Sequence, residues 1–129
     1  MSSNASPQAP IEALYATGHW LLTHHRYKEA AEVLRAMAMT APSDERAWLA
    51  LGACHEAIGQ KKLALELYRM ASVEAAPAIR CIIARGRVLH ALGQDEDARG
   101  AFDEACELAV AHDEAGLAHL ATNEKDAIS

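Results

Sequence analysis

Seven histidines and three cysteines are the side chains of this 129-residue chain best equipped to hold a metal, move a proton or act as a nucleophile. Their spacing argues against all three. Cys54, Cys81 and Cys106 stand 27 and 25 residues apart, which makes neither a C-x-x-C pair nor a metal-ligand spacing, so they read as reduced, buried, small apolar side chains. His24 and His25 fall at a turn and read as solvated. His19 and His90 lie far apart with no carboxylate placed as in H-E-x-x-H. Cys54 and His55 are adjacent, but consecutive helical residues point about 100° apart and cannot ligate one ion as neighbours. An enzyme or metal protein would need Cys54, His55 and other histidines to converge. No G-x-S-x-G, phosphate-cradling loop or dinucleotide fingerprint occurs, since all seven glycines sit at repeat or helix positions. The expectation is a non-enzyme with no catalytic residue, no metal and no cofactor.

The residues that can do something else are those repeated at a fixed interval. Displacing the sequence by 34 residues aligns Gly18 with Gly52 and Gly86, Ala30 with Ala64 and Ala98, and Leu34 with Tyr68 and Phe102. Leu21, His55 and Leu89 also align, as do His25, Gly59 and Gly93 at the turns. A period of 34 with W-x-x-L-G spacing at Trp48, Leu51 and Gly52 and a later aromatic at Tyr68 is that of the tetratricopeptide repeat (TPR), a pair of antiparallel helices. The small residues let helices approach closely, and Leu34, Tyr68 and Phe102 fill the space between layers.

Punctuation supports the same division. Pro42 closes the first repeat, Ser43 or Asp44 can cap the next helix, and Pro77 sits just past the last helix of the second repeat. Gly59-Gln60 and Gly93-Gln94 suit tight turns between paired helices. The spacing predicts helices at about 11–24, 27–40, 45–58, 61–74, 79–92 and 95–111, within an all-α domain over 11–126 made of three tandem repeats at 11–44, 45–78 and 79–112. A cap helix at about 113–125, with Leu117 and Leu120, would cover the exposed side of repeat three and complete a curved superhelical slab. Residues 1–10, rich in Ser, Ala and Pro, are expected to be disordered.

In such a stack the second, fifth, ninth and twelfth positions of each repeat face inward. Here these are Glu12, Tyr15, His19 and Leu22; then Arg46, Leu49, Ala53 and Glu56; then Arg80, Ile83, Arg87 and His90. Tyr15, Leu22, Leu49 and Ile83 offer apolar contact, and the charged members can pair with main-chain groups or charges of an extended or helical peptide. Tyr15 is the expected anchor, because a ring buries much area at little entropic cost and keeps a hydroxyl for hydrogen bonding.

Composition limits the partners. Alanine is abundant and aromatics are 5% of the chain, which suits close helix packing better than a β-sandwich. The formal charge of −6 disfavours nucleic acid and anionic lipid as partners. No apolar run approaches the ~20 residues that span a bilayer, and the first ten residues have neither a basic region nor an apolar signal core, so the chain is expected in the cytosol.

The string Leu49-Ala50-Leu51-Gly52-Ala53-Cys54-His55-Glu56-Ala57-Ile58-Gly59-Gln60, followed by Leu63-Ala64 and Tyr68, resembles the middle repeat of the class II type III secretion chaperones, the TPR chaperones of translocator proteins. The likeness extends back through Leu14-Tyr15-Ala16 and Tyr27-Lys28-Glu29-Ala30 and forward through Ala84, Leu89, Gly93 and Ala98, over about 100 residues. The resemblance implies a protein of the bacterial cytosol that seats a short translocator segment with spaced apolar residues in its groove, keeping the translocator soluble, apart and secretion-competent. It makes Tyr15, His19, Leu49, Ala53 and Ile83 the implied contacts. Family members usually carry a longer N-terminal extension whose helix serves dimerisation. About ten residues precede repeat one here, which argues against a homodimer formed by that route. The alternatives are a chaperone of another secretion substrate, such as an effector or needle component, and a general TPR adaptor. An adaptor that clamps a C-terminal carboxylate needs Lys and Asn where this chain has Tyr15, His19, Leu49 and Ala53, so that form of it is set aside.

Overall fold

Every apolar stripe at helical spacing becomes a helix, and four of the six turns between the described helices fall where glycine, proline or an Asp cap stands. The structure, a computed structural model, describes residues 8–128. Its element order is α1 (Gln8–Thr23), α2 (Tyr27–Thr40), α3 (Glu45–Ala57), α4 (Lys61–Glu74), α5 (Ile79–Ala91), α6 (Asp95–Ala111) and α7 (Ala115–Asp126). Among the described residues there is no strand. Each helix packs on the next in the chain, and α1, α3, α5 and α7 also touch in succession, so they share one face of the stack.

The caps differ from repeat to repeat. Asp44 precedes α3 and its carboxylate accepts the Arg46 backbone N–H at 3.1 Å, satisfying one of the donors that a helix start leaves free. The residue before α5 is Ala78, which has no side chain for this purpose. Glu45 supplies the acceptor from the previous repeat, its Oε2 taking the Cys81 N–H at 2.9 Å. Gly59 and Gly93 adopt φ of 82° and 79° at the turns inside the second and third pairs. His25, at the corresponding place in the first pair, takes φ 60° despite its side chain, a conformation that disfavours most residues other than glycine.

Gly18, Gly52 and Gly86 face the large side chain sixteen residues further on, in the second helix of the same pair. A Cβ on Gly52 would lie 2.2 Å from Tyr68 Cε1, one on Gly86 2.6 Å from Phe102 Cε1, and one on Gly18 2.5 Å from Leu34 Cδ2. The bulky residue therefore occupies the volume that the glycine leaves open. Leu34, Tyr68 and Phe102 are all but fully buried, and burying each contributes about 1.5–3 kcal/mol. The buried Tyr68 hydroxyl donates to Glu56 Oε2 at 2.5 Å, as a buried hydroxyl must find a partner.

Two expectations are corrected. The first helix begins at Gln8 rather than 11, so residues 8–10 of the segment expected to be disordered are helical; Pro10 is tolerated because a first-turn residue needs no N–H bond. The remainder of that segment, 1–7, lies outside the described residues. Cys54 and Cys81 are buried but Cys106 is only partly so, its Sγ lying 3.5 Å from Thr122 Oγ1 on α7. The seventh helix starts at Ala115, after Asp113 takes φ 58°.

Candidate peptide-binding groove

The face shared by α1, α3, α5 and α7 carries the residues expected to point inward, and the structure sorts them into three kinds. The first is a charged and aromatic cluster on α1 and α3. Arg46 Nη2 lies 2.7 Å from Glu12 Oε2 and 2.8 Å from Asp44 Oδ2, and its guanidinium sits 4.5 Å from the centroid of the Tyr15 ring, within the range of a cation–π contact. The His19 ring stands 5.8 Å from that of Tyr15, tilted by 40°. Hydrogen bonds from Arg46 and then from Gln8 hold the Glu12 carboxyl down at about 2. The same guanidinium lowers Asp44, and its own proton is held more firmly than in free arginine, first by Asp44 and then by Glu12. Tyr15 is half-buried, its ring held by these neighbours and by packing on the core.

The second kind is engaged elsewhere. Glu56 accepts the Tyr68 hydroxyl, so one of its oxygens is committed to the interior. Burial first, and this hydrogen bond second, push the Tyr68 phenol well above its ordinary range. Ile83 is 2% exposed and belongs to the second core cluster with Phe102, Ala105 and Ala121. Against the expectation that Ile83 offers apolar contact stands this packing, which leaves it almost no exposed surface. Leu22 is partly buried against the first core cluster.

The third kind lines a cavity of about 190 Å³ between α3, α5 and α7, whose walls include Leu49, Arg80, Ile83, Arg87, Leu117 and Leu120. Arg87 Nε donates to Glu124 Oε1 at 2.6 Å, tying α5 to α7. Ala53, on the same helix as Leu49, is partly exposed. Leu117 and Leu120 line this cavity, which the reading of α7 as a cap did not identify. The signal for Leu117 was there, because the series 15, 49 and 83 continues to 117 in steps of 34, so α7 occupies the place of the first helix of a fourth repeat. A larger hollow of about 410 Å³ lies between α6 and α7, lined in part by Ala109, Val110 and His119. It touches none of the residues expected to bind.

The residues considered for metal or acid–base chemistry stay apart. His24 Nδ1 lies 2.7 Å from the Trp20 carbonyl oxygen, His25 pairs with the Tyr27 hydroxyl, His55 with Gln60, and His90 with Asp95. No group of three or more metal-ligating side chains comes together among the described residues. Burial pushes the Cys54 thiol up to about 11, and burial with the nearby Glu45 charge raises Cys81 further, so neither is a ready thiolate.

A stack of helical pairs with an apolar and charged face made by the first helix of each pair is a TPR module. Neither a protein-family model nor a curated protein matches the chain's sequence. Solved structures do. The chain is similar to PcrH in complex with the chaperone binding region of PopD, with TM-score 0.81 and 26% identity over 99% of this chain and 96% of that one; PcrH is a protein of Pseudomonas aeruginosa. It is similar to the Yersinia enterocolitica type III secretion translocator chaperone SycD, with TM-score 0.83 and 26% identity over 92% of this chain and 89% of that one. The Sgt2 TPR domain of Aspergillus fumigatus, 15% identical at TM-score 0.73 over 94% and 82% of the two chains, shares the fold alone. Among these structural neighbours are translocator chaperones, matched along nearly the whole of this chain. The resemblance carried by the Leu49–Gln60 string holds in three dimensions.

Proposed function

We propose that this protein is a type III secretion chaperone that holds a short segment of a translocator protein on the face made by α1, α3, α5 and α7, without catalysis, in the bacterial cytosol. The observation that carries this is the match, at TM-score 0.81 and over 99% of the chain, to PcrH caught with the chaperone binding region of PopD. Complexes of PcrH with the corresponding region of PopB and of SycD with a YopD peptide are further neighbours. The groove suits the task. Tyr15, His19 and Arg46 form a preorganised aromatic and cationic platform, and Leu49 with Leu117 and Leu120 forms an apolar pocket one helix layer away. Apolar translocator segments left uncovered would associate with one another, and covering them is a favourable use of such a face. Among the described residues no helix is long and apolar enough to cross a membrane.

Tyr15, His19, Leu22, Arg46, Leu49, Ala53, Glu56, Arg80 and Arg87 remain the proposed contacts, with Ile83 as the floor beneath Leu117 and Leu120. The test is co-expression with the translocators encoded in the same genome, followed by copurification and a titration with truncated clients. Capture of one translocator through a short segment, weakened by about 1–3 kcal/mol in Tyr15→Ala with helicity unchanged, is the expected result. A well-folded chain that captures none of them would favour a general TPR adaptor.

A further inference from the structure

The proposed groove carries three arginines, and among the described residues one of them lacks a counter-charge. Arg46 lies between Glu12 and Asp44, and Arg87 is paired with Glu124. Arg80 is exposed and makes no ion pair among the described residues. The 34-residue period shows why. Arg46 and Arg80 occupy the same repeat position, but the carboxylates that neutralise Arg46 stand at positions 12 and 44, and their equivalents for Arg80 are Arg46 and Ala78. The nearby Glu45 carboxylate is taken by the Cys81 N–H. Glu114, at the matching position ahead of α7, makes no ion pair with Arg80. The free guanidinium lies on the wall of the apolar cavity that also holds Leu49, Ile83, Leu117 and Leu120.

Resting on the groove reading above, we infer that this cavity receives an aliphatic or phenyl side chain of the client and that Arg80 holds a carboxylate borne by the client within about three residues of it. A volume of about 190 Å³ is close to the roughly 150 Å³ apolar cavity that accepts benzene, so one such side chain fills it. An exposed guanidinium beside that site offers a forked, two-point grip on a carboxylate. The chain as a whole carries −6, so preference for an acidic client residue would be a local property of Arg80 and not a consequence of net charge.

The experiment is selection of a displayed random-peptide library on the full chain and, in parallel, on Arg80→Glu, with circular dichroism to check that the exposed substitution leaves the fold intact. Binders to the native chain are expected to pair a Leu, Ile, Val or Phe with an Asp or Glu within three residues. Binders to Arg80→Glu are expected to replace the acid by Lys or Arg. A synthetic peptide from the first set should bind Arg80→Glu roughly three- to tenfold more weakly, the scale of an exposed charge-assisted pair, and more so at low salt. Binders that are lost on Leu49→Asp yet show no acidic preference, or an acidic preference unchanged in Arg80→Glu, would overturn the Arg80 assignment and leave the groove standing. Binders indifferent to both Leu49→Asp and Tyr15→Ala, or none at all, would overturn the groove reading and this assignment with it.

Discussion

Gly52 and Tyr68 act as one unit, because the ring fills the volume that any other side chain at position 52 would need. Gly52→Leu must displace a ring that is 1% exposed and hydrogen-bonded to Glu56. Overpacking of this kind costs about 1–3 kcal/mol, and the expected result is a melting temperature lowered by several degrees. An unchanged melting temperature would refute the glycine–aromatic pairing. Arg46 supports a second prediction at this scale. The Glu12 carboxyl sits at about 2, so the ion pair contributes above the ordinary carboxylate range and is lost as pH falls towards 2. An NMR titration of the Glu12 side chain should place its midpoint near 2 in the native chain and return it most of the way to an ordinary carboxylate value in Arg46→Ala.

The most informative element is α7, because it both closes a core and extends a groove. Ala121 and Ile128 are buried in the second core cluster, with Leu117 packed against it, and the helix is tied down by Lys125 to Asp103 at 2.7 Å and by Glu124 to Arg87. A terminal repeat without such cover exposes its apolar face. A chain ended after Glu114 should therefore melt earlier and bind a hydrophobic dye, read by calorimetry and fluorescence. It should also lose affinity for client, since Leu117 and Leu120 go with the helix. Full client affinity in the shortened chain would remove α7 from the groove.

One continuous face on one stack implies one client segment per chain, and binding to the folded state alone raises its stability by about 2.7 kcal/mol at a hundredfold excess over Kd. Isothermal titration should give a stoichiometry of one, and thermal unfolding should shift upward with client. A stoichiometry of two would place a second site outside the groove.

The all-α repeat architecture was legible in the sequence because the 34-residue period, the glycine and aromatic positions and the caps are facts of local spacing, and each helix needs only its own stripe and punctuation to form. The face that carries Tyr15, Leu49 and Arg80 followed from the same period. What only the tertiary structure decided was how each of those side chains is used. Ile83 was buried in the second core cluster, Glu56 turned to the buried Tyr68 hydroxyl, and Leu117 came to line the cavity beside Leu49 because α7 lies where a fourth repeat would begin. The division of carboxylates among the described residues, with two on Arg46, one on Arg87 and none on Arg80, depends on which acids the stacking brings within reach. Spacing assigns a residue to a face, but competition among neighbours from different repeats decides whether it is left free there.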